Sequence, residues 1–68
     1  MDNRTMRVPA LDAGGGDALE RALTALPGVH EVRVDGDGHT VHLRVDPGLV
    51  SDEELVAAIG NVGYDVDA

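Results

Sequence analysis

The sequence predicts an α+β domain of βαββαβ order, a four-stranded antiparallel sheet with two helices on one face. Three observations predict it. Residues 30–35 and 39–45 alternate apolar with polar side chains around an Asp35-Gly36-Asp37-Gly38 turn. Residues 18–26 and 55–62 place apolar side chains at helical spacing behind capping residues. Each helical stretch lies between two extended ones, and 68 residues make one domain at most.

The first strand is expected over residues 5–11, where Met6 and Val8 alternate with Thr5 and Arg7. Residues 1–4 are expected to form a disordered terminus ahead of a single domain spanning 5–68. Pro9 has no N–H to donate, so pairing weakens there. A glycine-rich loop, Asp12-Ala13-Gly14-Gly15-Gly16, follows and is expected to be flexible and free of ligand. Asp17 with Glu20 makes a capping box for a first helix over residues 18–26. Leu19, Ala22, Leu23 and Leu26 form its apolar stripe, and Pro27-Gly28 stops it.

In the hairpin, Val34 opposite Val41 sets Arg33 against His42 and Glu31 against Arg44. That register gives one dry and one polar face. Asp46-Pro47-Gly48 is a further turn. Ser51 with Glu54 caps a second helix, whose stripe is Leu55, Ala58, Ile59 and Val62. Gly60 and Gly63 fall near its end, and residues 64–66 read as a short edge strand. The resulting order is the ferredoxin-like one. Val32, Val34, Val41, Leu43, Leu19, Leu23, Leu55 and Ile59 are expected to share one core.

Composition removes several function classes. There is no cysteine, so neither a disulfide nor a thiolate metal site is available. The formal charge of −8 opposes nucleic-acid binding, which needs a basic patch. The start, MDNRTMRV, contains no apolar run, so neither a signal peptide nor membrane insertion is expected, and a cytoplasmic location follows. All five cations are arginine, and aspartate outnumbers glutamate nine to four. Such a surface fits a salt-rich, halophilic cytoplasm, or the codon bias of a GC-rich genome.

Leu19, Leu23, Leu26-Pro27-Gly28-Val29, Val32, Val34, Val41, Leu43, Leu55, Ile59 and Gly63-Tyr64 together resemble the heavy-metal-associated domain. The resemblance covers about Met6 to Val66. It implies copper chaperones, mercury-binding proteins and the N-terminal modules of metal-pumping ATPases as relatives, with a role in metal transport or homeostasis. Members of that family bind a soft ion through a Met-x-Cys-x-x-Cys loop before the first helix. Counting back from Gly28, the two cysteine positions fall on Asp12 and Gly15. Counting forward from Val8, they fall on Ala13 and Gly16. Both counts leave a degenerate loop with Leu11 or Ala10 in place of the methionine, so no metal and no cofactor are expected. The expected role is an interaction or regulatory module with a protein partner in metal trafficking.

Two alternatives stay open: a divalent ion held by hard ligands such as Asp12, Asp17 and a histidine, or an unrelated ferredoxin-like regulatory module. His30, His39 and His42 show no spacing that would make two of them a ligand pair, and they read as surface residues. Asp35-Gly36-Asp37-Gly38-His39 reads as a turn, since a calcium loop would need a further acid and a distant glutamate. Tyr64 is expected to pack in the core or on a loop. Ser51, Thr5, Thr24 and Thr40 have no base beside them in the sequence pattern, so no enzyme is expected.

Overall fold

Across the central hairpin Val34 pairs with Val41, Arg33 with His42, Val32 with Leu43 and Glu31 with Arg44, the register that the alternation predicts. The computed structural model describes residues 1–12 and 14–67. Its elements are β1 (Asp2–Arg7), α1 (Gly16–Thr24), β2 (Val29–Asp35), β3 (Thr40–Val45) and α2 (Asp52–Val62). β3 is central, flanked by antiparallel β1 and β2. A bulge between Val29 and Glu31 leaves His30 outside the ladder.

Four expectations change. Residues 2–4, expected to be disordered, belong to β1 and pair with Val45, Arg44 and Leu43. Their alternation continues that of Met6: Asp2 and Arg4 lie on the helix side at the sheet margin. There the Arg4 guanidinium bonds Asp52 at 3.0 Å, and Asp2 at 3.2 Å. The Asp52 hydrogen bond, then its charge, raises the Arg4 pKa above the usual value.

β1 also ends at Arg7, four residues early, because the chain turns at Pro9; the Val8 N–H still donates to the His39 carbonyl at 2.8 Å. The expected fourth strand at residues 64–66 is reduced to one antiparallel bridge, Arg7 with Asp67. The Tyr64 N–H is already committed to Ile59 O (3.3 Å) and that of Gly63 to Gly60 O (3.0 Å). These two bonds form a Schellman motif, with Gly63 in the left-handed region at φ 110°, so pairing resumes only at Asp67.

α1 starts at Gly16, with Gly15 as its cap and no side-chain capping bond, so the Asp17–Glu20 box does not form. Asp12 takes over: its carboxylate accepts the Gly15 N–H at 2.8 Å and so directs the chain into the helix. Asp17 is left in the first turn, where its charge favours the helix dipole. The capping box of α2 forms as expected, Glu54 N donating to Ser51 Oγ at 3.2 Å and Ser51 N to Glu54 Oε1 at 3.1 Å.

Both helices cover one sheet face. Leu19, Leu23, Leu55, Ile59, Val41 and Leu43 are buried as expected, whereas Val32 and Val34 on edge strand β2 are half-buried. Met6, Val8, Val45, Leu11 and Val50 complete the core, the last two reaching it from loops. Gly28 joins α1 to β2 at φ 90°, and a Cβ there would lie 2.7 Å from that of Leu49. The Pro27-Gly28-Val29 step thus meets both a backbone and a packing demand. Among the described residues no helix is long and apolar enough to cross a membrane.

Candidate functional site

The segment between β1 and α1 carries the positions where soft-ion ligands would stand. Three contacts hold it. Leu11 points into the core, 1% exposed, and its N–H donates to Val8 O at 2.9 Å. Its carbonyl bonds His39 Nδ1 at 2.9 Å. Asp12 closes on Gly15 through both its carboxylate (2.8 Å) and its carbonyl (3.3 Å). The described part of the loop is tied at both ends. Ala13 lies outside the described residues.

Tyr64 covers this turn. Its hydroxyl donates to Asp12 Oδ1 at 3.5 Å, and a Cβ on Gly15 would collide with that hydroxyl. Gly16 is also constrained, with a Cβ there 3.3 Å from Val34 Cγ1. By one count, then, the two cysteine positions are an aspartate and a glycine bonded to each other beneath a phenol. The loop-packing expectation for Tyr64 describes this arrangement.

His39 is the participant that sequence reasoning missed. It ends the hairpin turn at φ 54°, a conformation that costs a non-glycine residue about 1–3 kcal/mol. Asp35 Oδ1 accepts the Gly38 N–H at 3.0 Å and fixes the turn, so the left-handed position falls on the histidine. Its backbone and ring then clasp Val8 and Leu11 respectively. The turn chemistry before His39 was the visible signal, but the acceptor lies 28 residues away.

The other two histidines sit elsewhere. His30 is the exposed bulge residue, and His42 lies on the open sheet face between Thr5 Oγ1 (3.2 Å) and Thr40 Oγ1 (3.4 Å). Asp12 and Asp17 do share a shallow depression of about 440 Å³, with Gly16, Glu20, Asp35 and Asp37 in its lining. Among the described residues no three acid, histidine or cysteine side chains gather closely enough to hold a metal ion. Ser51 is occupied in the α2 cap, and Thr24 Oγ1 donates to Glu20 O at 2.6 Å.

The heavy-metal-associated domain model matches residues 5–65. Among curated proteins none matches the sequence. Among solved structures, the CopZ metallochaperone superposes with a TM-score of 0.93 at 25% identity, covering 97% of this chain and 100% of its own. A protein from Bacillus anthracis str. Ames, named for copper-ion binding, gives 0.90 at 30% identity, covering 97% and 94%. A copper binding domain from HMA7, a P-type ATPase, gives 0.92 at 24% identity, covering 98% and 92%, and bears on the fold alone. The chain belongs to the heavy-metal-associated domain family.

Proposed function

We propose that this chain serves metal homeostasis as a cysteine-free heavy-metal-associated module that docks a protein partner and carries no soft ion on its β1–α1 loop. One observation carries the reading: at the positions where one of the two counts sets the family's thiolates, Asp12 and Gly15 bond each other and Tyr64 closes over them. A loop tied in this way keeps its shape without an ion. Hence a surface built around the loop and α1 can still present itself to a partner. Membership of the heavy-metal-associated family and structural similarity to a metallochaperone support the metal-homeostasis setting. The reading assigns a cytoplasmic location and no catalytic step.

A competition titration against a Cu(I) chelator tests the first half. The expected result is no one-to-one complex, since only Met1 and Met6 offer soft donors. Tight stoichiometric binding would overturn it. Affinity capture from the native cell extract tests the second half: a partner retained by the chain, and lost on Asp17→Arg and Glu20→Arg, is expected. The same titration run with Zn(II) and Ni(II) examines the hard-ligand alternative.

A further inference from the structure

We infer that the open face of the sheet is a docking surface for an extended acidic peptide segment with carboxylates on alternate residues. The inference concerns the side opposite the helices and does not rest on the metal-homeostasis reading. Arg7, Arg33 and Arg44 all stand on this face with His42, so three of the five arginines are here. Of the thirteen acidic residues, Glu31, Asp35 and Asp67 share it, Asp67 standing opposite Arg7 in the isolated bridge. The molecule is therefore polarised, balanced in charge on the sheet, where Arg33, Arg44 and His42 form a basic corner, and strongly acidic on the helices and loops.

The cations on this face are available. Among the described residues, no ion pair or side-chain hydrogen bond engages Arg7 or Arg33. Arg44 reaches Glu31 only at 3.8 Å, with both side chains more than half exposed. Exposed pairs of that kind contribute about 0–1 kcal/mol, so a ligand carboxylate can replace Glu31 at little cost. A shallow concavity of about 390 Å³ lies among Asn3, Thr5, Glu31, Arg33, His42 and Arg44.

Geometry selects the form of the ligand. Arg33 faces His42, and Arg44 is two residues further along β3, which makes Arg33 and Arg44 diagonal neighbours. Such neighbours stand about 7–8 Å apart. Carboxylates on alternate residues of an extended chain repeat every ~6.6–6.8 Å and meet both guanidiniums in turn. The asparagine and threonine side chains supply further polar contacts to the peptide backbone. Single-stranded nucleic acid fits less well, because the chain's one aromatic, Tyr64, lies on the loop side and the face offers no ring for a base to stack on.

The net charge of −8 does not forbid this encounter. The molecule measures 30 × 22 × 19 Å, and at ~0.1 M salt the screening length is about 10 Å. A peptide on the sheet thus feels the near arginines more strongly than the carboxylates beyond the helices.

A titration of the isotope-labelled full chain with a synthetic (Glu-Ser)4 peptide, followed by NMR, tests the inference. Saturable shifts centred on Thr5, Arg33, His42 and Arg44 are expected, and shifts confined to the helices or loops would overturn it. Affinity should fall at least tenfold from ~0.1 to ~1 M salt; salt-independent binding would count against it. Arg33→Gln with Arg44→Gln should weaken binding tenfold or more while circular dichroism stays unchanged, and undiminished binding by that folded variant refutes the site. Tighter binding of an eight-nucleotide oligothymidylate, or self-association through the same face without peptide, would replace the acidic peptide as the occupant.

Discussion

A methyl group on Gly15 would occupy the space of the Tyr64 hydroxyl, so the glycine and the phenol are one packing unit. Gly15 itself is at φ −89° and ψ −13°, a helical conformation that alanine adopts freely. On backbone grounds alone Gly15→Ala should be neutral or slightly stabilising. Packing reverses the sign, since the ring must swing off Asp12. Gly15→Ala is expected to cost about 1–2 kcal/mol, in the range of overpacking. In a Tyr64→Ala background the same change should cost less than ~0.5 kcal/mol. Urea unfolding of the four proteins closes the cycle, and equal costs in both backgrounds would dissolve the unit. Tyrosine fluorescence offers a second readout, as Tyr64 is the sole aromatic. The sequence showed both residues without showing the contact, because 49 positions separate them and nothing local links them. Asp12 was hidden for a related reason. Asp17 and Glu20 form an equally good capping pattern, and only the path of the chain leaving β1 decides which acid meets the helix start.

Elements set by local rules are the ones the sequence made legible. The β2–β3 register follows from alternation and from a turn whose ends must meet, and a slip by one residue would expose Val41 and Leu43. The α2 start is similarly local, with Ser51 and Glu54 satisfying each other within one turn. Ser51→Ala removes the hydroxyl half of that exchange while the backbone N–H of residue 51 can still donate to Glu54, and it should lower stability by about 1 kcal/mol, measurable as a reduced urea midpoint with unchanged slope. A loss below ~0.3 kcal/mol would show that water replaces the cap. By contrast, the extent of β1 and the fate of the C-terminal segment depend on partners distant in sequence. Residues 2–4 look like a polar tail until β3 lies beside them. Tyr64 looks like the start of a strand until the Schellman motif claims its N–H.

Across the whole molecule the dominant long-range term is self-repulsion. A formal charge of −8 occupies a body of 30 × 22 × 19 Å, and the three ion pairs among the described residues involve only Arg4 and Arg44 as cations. Folding concentrates that charge, because the extended chain spreads the same carboxylates over a larger volume. Salt therefore weakens a penalty that is greater in the folded state, and added sodium chloride should stabilise the fold. Screening shortens from about 10 Å at ~0.1 M to about 3 Å at ~1 M, from half the width of the domain to the reach of a single contact. Against a total stability on the order of 3–5 kcal/mol, relief of about 1 kcal/mol is conspicuous. For a domain of this size it raises the melting temperature by about 4–8 °C. The rise should be steepest at low salt and flatten as screening saturates, whereas a preferential-exclusion effect would keep growing with concentration. Thermal melts from ~0.05 to ~2 M sodium chloride distinguish the two shapes. A flat melting temperature would detach the acidic composition from salt adaptation and leave the base composition of the genome as its source.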